Sequence, residues 1–451
     1  MRVTRRYLRM TLRSYTSPHQ WKARLVFWGG AILVGLVSAL FALGSEAASH
    51  LFSQMESQAA WLPLFITPAG LVLIAWLTRR YFPGAQGSGI PQAIAALEMR
   101  PSMHYLRSSV LSLRIAVGKI FLTLLGLLCG ASIGREGPTV HIGAAIMYTA
   151  GHYAHFPRHY LDKSLIIAGG AAGIAAAFNT PLAGIVFAIE EMARSFEERT
   201  SGTMLTAVVL AGITAMAVLG NYTYFGTSHA ALQLGTGWLI VPLVGILGGL
   251  LGGLFARLLV SGSRWVTPHL TRHPLLVPAL CGLVVAIAGI LSGGTSYGTG
   301  YPEAQAALAG NGETGMAYPL LKGIATMASY LSGIPGGIFA PSLATGAGLG
   351  AALAEFFTGP GVQAIIILTM VAYFTGVVQT PITAFVIVME MTDNHTMLLP
   401  LMATAFIAYG VSRLVCHEPI YRSLAQGFFD RLRAEEPNTN TKDKQESPGA
   451  T

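Results

Sequence analysis

The sequence predicts an all-α polytopic membrane protein made of two inverted repeats, with broken half-helices meeting near the bilayer midplane. Three observations predict it. Apolar stretches of spanning length recur along the chain, the chain aligns with itself at an offset near 200 residues, and Gly- and Pro-rich turns interrupt the apolar runs at matching places in both halves.

The apolar stretches come first. Of 451 residues, 53% are hydrophobic and 11% charged, against about 25% charged in a soluble domain. The clearest runs are 25–43, 61–78, 108–130, 164–189, 203–222, 237–260, 275–293, 362–389 and 397–415. About 20 apolar residues span the hydrocarbon core. Shorter runs start at Pro138, Pro181, Pro341 and Pro381. Every backbone polar group in lipid needs an internal partner, so a broken helix persists only where protein or a water-filled cavity surrounds it. Many broken helices therefore point to a polar site near the middle of the protein.

The ends and the cysteines are less informative. The first 24 residues carry seven basic side chains and no acidic one, which places this end in the cytoplasm. No cleavage motif marks a secretory signal. Cys129, Cys281 and Cys416 form no disulfide or metal-ligand pattern. No metal, cofactor or nucleic-acid partner is expected. The expected organisation is a basic N-terminus over 1–24, a first membrane repeat over 25–195, a connecting helix and loop over 196–234, a second repeat with the last helix over 235–425, and a disordered cytoplasmic tail over 426–451.

The self-alignment carries the topology. Gly87-Ser88-Gly89-Ile90-Pro91 and the six residues after it match the stretch from Gly298 at seven of eleven positions. Lys119, Thr123, Gly130, Gly134, Pro138 and Gly143 match Lys322, Thr326, Gly333, Gly337, Pro341 and Gly346 at an offset of 203. Thr180, Pro181, Val186 and Glu190 match Thr380, Pro381, Val386 and Glu390 at an offset of 200. The first GSGIP segment is flanked by Arg79, Arg80, Arg100 and Arg107. Its counterpart, Gly294 to Leu321, has only Glu303 and Glu313 as charges. Basic residues mark the cytoplasmic side, so the two repeats are expected to be inverted. Inverted repeats place a site at their interface, lined by half-helix N-termini.

Three motifs stand at such helix starts: Gly87 to Pro91, Gly134-Arg135-Glu136-Gly137-Pro138, and Gly337-Ile338-Phe339-Ala340-Pro341. Pro91, Pro138 and Pro341 suit a first helical turn, where no N–H partner is needed. Gly lets a ligand approach the backbone closely. The unpaired N–H groups and about +0.5 charge at a helix start attract an anion. They do so without a fixed cation, whose tighter grip would slow release. Gly130 to Gly134 also spell the G-x-S-x-G of hydrolases. That motif needs a strand-to-helix elbow, and an apolar helical run precedes it here, so no enzyme is expected.

In this order and on inverted repeats, GSGIP, GREGP and GIFAP resemble the CLC family of chloride channels and proton/chloride antiporters. The resemblance spans residues 25 to 425 and includes FNTPLAGIVFAIEEM and TPITAFVIVMEMTDN. It implies that Ser88 and Tyr421 give hydroxyls to a central chloride and that the backbone of Ile338 and Phe339 completes the site. Taken alone, Ser88 would be an N-cap and Tyr421 an interfacial anchor. Serine at position 88 fits chloride-preferring members; nitrate-preferring members tend to carry proline there.

The same resemblance makes Glu136 the gate and external proton acceptor. An intramembrane acid is a functional candidate in its own right, because its carboxylate competes with chloride for the amides and leaves once protonated. Taken alone, Glu136 could equally be a partner of the helix dipole. Glu191, the second acid of AIEEM, matches the internal proton acceptor that distinguishes exchangers from channels. Glu190 reads as an interfacial carboxylate near Arg194. Lys119 lies in an apolar run and reads as structural or electrostatic support, since a buried lysine needs partners. Family exchangers often carry acids just after GSGIP, where Gln92 and Ile94 stand here.

The reading is a CLC-type protein that exchanges chloride for protons, a homodimer with one pathway per subunit, set in a lipid bilayer. By resemblance, and because the chain ends without the nucleotide-binding tail of eukaryotic relatives, a bacterial inner membrane with both termini cytoplasmic is expected. A passive chloride channel and an exchanger for another small anion are the alternatives.

Overall fold

The structure is a computed structural model that describes residues 18–100, 103–154, 163–193, 198–232, 235–310, 315–357 and 361–435. The first half folds as α1 (Pro18–Gln58), α2 (Pro63–Tyr81), α3 (Ile90–Glu98), α4 (His104–Val110), α5 (Leu113–Leu128), α6 (Glu136–Tyr153), α7 (Leu165–Phe178) and α8 (Pro181–Phe187), with a π turn at Ala188–Ala193. Next comes α9 (Glu198–Leu219). The second half folds as α10 (Ile240–Arg272), α11 (Leu276–Leu291), α12 (Tyr301–Leu308), α13 (Tyr318–Leu331), α14 (Phe339–Ala354), α15 (Val362–Val378), α16 (Pro381–Met391), α17 (Leu398–Val415) and α18 (Ile420–Glu435). Five helices among the described residues are long and apolar enough to cross a membrane. Large apolar side chains stand exposed along them, including Leu36 and Leu40 on α1 and Leu250, Leu254 and Leu258 on α10. Such stripes fit lipid as the outer solvent.

Helices α8 and α16 start at Pro181 and Pro381, and α3 and α12 open at the two matched glycine–proline turns, as the punctuation predicts. Proline occupies the first turn of α8, α12, α13 and α16, where its missing N–H costs nothing. Matching glycines, Gly89 and Gly300, cap α3 and α12 in the left-handed region, at φ 102° and 79°. Only glycine adopts that conformation cheaply.

The two halves meet on a pseudo-two-fold axis that the backbone itself marks. Gly134 N–H donates to Gly337 O at 2.7 Å, and Gly337 N–H donates back to Gly134 O at 2.8 Å. These residues are equivalent in the two repeats, and their pairing is antiparallel, as a two-fold axis through them requires. The core is fully buried where α6 packs on α7 and α14 on α15. Gly143 and Gly169 permit the first of these approaches: a methyl on either would overlap the other's carbonyl oxygen. Small residues at such crossings are how membrane helices pack closely.

Two expected boundaries move. Helix α1 begins at Pro18, inside the segment expected to precede the membrane, and runs through Glu46 and His50 well past residue 43. Polar residues at its ends can stand outside the hydrocarbon, so an apolar window underestimates its length. Helix α18 runs to Glu435, beyond the residue 426 expected to open the disordered tail. Ile420, Tyr421, Ala425 and Phe428 are buried, a helical spacing that holds the segment on the protein. Residues 1–17 and 436–451, along with Arg194 and Glu313, lie outside the described residues.

Candidate anion-binding site

Three helix starts converge. Beside the Gly134–Gly337 pair, Gly87 N–H donates to Ile334 O at 3.0 Å and Gly336 N–H donates to Gly87 O at 3.2 Å. The turns before α3, α6 and α14 therefore share one backbone junction. A methyl on Gly137 would overlap Ser88 Oγ, which seats the Ser88 hydroxyl against the first turn of α6. A methyl on Gly337 would stand 3.2 Å from Gly137 N. Pro91, Pro138 and Pro341 are buried in the first turns of these helices.

Lys119 is fully buried, and its ammonium is spent on backbone carbonyls of the Gly87 turn. Its Nζ donates to Ala85 O at 2.8 Å and to Gly87 O at 3.2 Å, holding the turn that carries Ser88. Lys322 does the same in the other repeat, donating to Ser296 O, Tyr297 O and Gly298 O at 3.1, 3.0 and 2.9 Å. Three carbonyl acceptors satisfy all three ammonium hydrogens.

Ile338 caps α14 and Phe339 begins it, both almost fully buried. The Phe339 ring is fixed against Phe374 and Phe178, with centroids 4.3 and 5.4 Å away. First-turn amides lack intrahelical partners. The Glu136 carboxylate faces the Ala340 N–H of that turn, so it sits at the mouth of α14. Its Oε1 lies 3.5 Å from the Tyr224 hydroxyl.

Tyr421 enters from the first turn of α18. Its side chain is 1% exposed and lies within electrostatic reach of Glu191, Tyr330 and Glu136. Tyr330 in turn crowds Gly87. Ser88, Ile338, Phe339, Tyr421 and Glu136 thus gather around one junction. Glu191, 3% exposed on the π turn after α8, lies within electrostatic reach of Tyr421. Glu190 turns away to the N–H groups of Ile382 and Thr383.

Ser88 Oγ, Tyr421 Oη and Glu136 Oε2 are buried polar atoms without a hydrogen-bond partner. Such atoms are rare in folded proteins and mark a missing ion, a water or a functional group. Hydroxyl groups and first-turn amides are uncharged donors, the kind of group that accepts an anion without a fixed cation. The Glu136 carboxylate stands beside them, facing the Ala340 N–H and the Tyr224 hydroxyl.

Some features escaped the sequence reading. Tyr222 and Tyr224, between the repeats, face Arg135 and Glu136; the aromatic run from Tyr222 to Phe225 in an otherwise polar loop was the available signal. The role of Lys322 was legible from its match with Lys119. Ser132, the serine of G-x-S-x-G, lies in the irregular stretch between α5 and α6 and pairs its hydroxyl with Thr326 at 2.9 Å. Gln92 donates to Gln86 O at 2.6 Å within its own turn.

A sequence profile described as "Voltage gated chloride channel" matches residues 69–413. The H(+)/Cl(-) exchange transporter ClcA of Yersinia pestis is 32% identical over 440 residues, covering 89% of this chain and 88% of that protein. Among solved structures, a slow cyanobacterial Cl-/H+ antiporter superposes with a TM-score of 0.76 at 28% identity, covering 91% of this chain and 99% of the other. A CLC-type fluoride/proton antiporter superposes with a TM-score of 0.75 at 25% identity, covering 88% and 96%.

Proposed function

The chain belongs to the voltage-gated chloride channel family, and from that premise we propose that it carries chloride across a membrane in exchange for protons. Chloride binds between Ser88 Oγ, Tyr421 Oη and the backbone amides of Ile338 and Phe339. Glu136 is the external proton acceptor and gate. As a carboxylate it holds the amides at the start of α14; once protonated it gives up its charge and yields them to chloride. Glu191 takes protons from the cytoplasm. Arg135, Gly134, Gly137 and Gly337 shape the junction, and Lys119 secures the turn of Ser88.

The observation that carries the exchange reading is the position of Tyr421, within reach of two buried acids, Glu191 and Glu136. A passive channel has no need of the inner one, because an intramembrane acid is costly. The anion preference rests on Ser88. Its fully buried, unpartnered hydroxyl supports chloride, while the similar superposition on a fluoride/proton antiporter means that fold alone does not choose the anion.

The protein is an integral membrane protein. We place it in a bacterial inner membrane with both termini cytoplasmic, as a homodimer with one pathway in each subunit and no enzymatic activity. Proteoliposomes test the exchange: an outward chloride gradient should drive protons inward against their own gradient. Chloride current without uphill proton movement would make the protein a passive channel. Flux of nitrate or fluoride but not chloride would reassign its substrate.

A further inference from the structure

The segment between α9 and α10 is pinned to the rest of the fold at several points. Asn179, in the left-handed conformation at the end of α7, donates to Tyr222 O at 2.8 Å. Phe225 N–H and Ser228 N–H donate to Met391 O and Thr392 O at the end of α16, each at 2.9 Å. Asn394 and Thr396 donate to Ala230 O at 2.9 and 3.0 Å. This anchoring carries Tyr224 into the protein, where it is 3% exposed. Edge-on rings of Phe178, Phe225 and Tyr301 surround it at 5.3, 5.0 and 4.7 Å. A ring held on three sides aims its hydroxyl in one direction, and that direction is Glu136 Oε1 at 3.5 Å.

We propose that Tyr224, backed by Arg135, is a latch that holds the charged Glu136 in its seat and so sets the external pH at which transport opens. The proposal deepens the functional reading above and rests on the gating role given there to Glu136. Arg135 can only donate and faces the phenol oxygens of both Tyr222 and Tyr224. With its oxygen so engaged, the Tyr224 phenol turns its own hydrogen to the carboxylate. The groups around Glu136 are Arg135 at its own helix start, Tyr222 and Tyr224 from this segment, the Ala340 N–H from α14 and Tyr421 from α18. Glu46 of α1 and Tyr301 of α12 act at one remove, through Tyr222 and Tyr224. Among these hydroxyls Tyr224 is the one within hydrogen-bond distance of the carboxylate, and a charged carboxylate gains more from such a donor than a protonated acid does. A hydrogen bond to the charged form favours that form.

The test is chloride flux in proteoliposomes as a function of external and internal pH, with Tyr224→Phe. In the wild type, flux rises as external pH falls. In Tyr224→Phe, protonation no longer breaks a donor contact, so the external profile moves alkaline by about one pH unit, the size expected for a hydrogen bond to a charged group. The internal profile stays in place. In a Glu136→Ala background, Tyr224→Phe changes nothing. Asn179→Ala, which loosens the segment and leaves the phenol intact, moves the profile the same way by less, and serves if Tyr224→Phe does not assemble. An unmoved external profile, equal shifts on both sides, or an effect that persists without Glu136 would overturn the latch. Because the readout is chloride flux, a passive channel would refute exchange and still report on the latch.

Discussion

Glu190 and Glu390 each cap the helix that leads to the other. Glu190 accepts from Ile382 N–H and Thr383 N–H at 3.1 and 2.6 Å, at the start of α16. Glu390, on α16, accepts from Leu182 N–H and Ala183 N–H at 3.2 and 2.6 Å, at the start of α8, which runs on to Glu190. The matched distances reflect the pseudo-two-fold relation of the repeats. A carboxylate on first-turn amides satisfies orphan donors and meets the positive end of the helix dipole.

This reciprocal capping gives Glu190 a structural partner that its neighbour Glu191 does not share, and the proposed roles of the two acids predict different mutants. Glu190→Gln keeps some of the hydrogen bonding and loses the charge, so it should cost about 1–2 kcal/mol, read as a lower thermal midpoint in detergent. Proton coupling should survive it. A Glu190→Gln protein of normal stability that no longer moves protons would assign the inner proton role to the wrong acid.

Glu191→Gln should give the converse result. Chloride flux persists, uphill proton movement disappears, and thermal stability changes little. Dual recording of chloride and pH in proteoliposomes checks it; retained coupling would remove Glu191 from the pathway.

Glu136→Ala removes the competitor for the α14 amides. Chloride flux should become independent of external pH, with no proton coupling. On the proposed gating role, protonation opens the wild-type site, so wild-type flux should rise as external pH falls while the mutant profile stays flat. A mutant that still responds to external pH would place the gate elsewhere.

Lys119→Met and Lys322→Met should differ. Each leaves buried carbonyls without donors, at about 1–3 kcal/mol per group, so both proteins unfold at lower temperature. Only Lys119 holds the turn of Ser88, so chloride affinity, measured by calorimetry, should fall mainly in Lys119→Met. Equal losses of affinity would make the lysines general scaffolding.

Ser88→Ala removes one of two hydroxyl donors and should weaken chloride binding by about tenfold, as a hydrogen bond to a charged partner implies. Ser88→Pro should move the preference toward nitrate in a paired flux assay. An unchanged chloride-to-nitrate ratio would detach selectivity from this position.

Much of the fold was legible because broken membrane helices must be punctuated. Glycine and proline at matching places announced the starts of α3, α6, α14 and α16, and the basic flank of GSGIP announced the inversion. The motif residues that the structure brings to the junction, Ser88, Glu136, Ile338 and Phe339, were legible with them. The reciprocal caps were not, since Glu190 and the amides it binds are about 190 residues apart and only the assembled repeats bring them together. Tyr224 was hidden for another reason: its segment lies between the repeats and has no twin to align with. The ends of α1 and α18 escaped because polar and amphipathic turns extend a helix without extending an apolar run.

The central claim is that Ser88, Tyr421 and the start of α14 hold a bare halide. Anomalous diffraction from crystals grown in bromide tests it most directly. A peak within hydrogen-bond reach of Ser88 Oγ, Tyr421 Oη and the amides of Ile338 and Phe339 is the predicted result. Bromide bound only elsewhere, with those hydroxyls paired to protein groups, would contradict it.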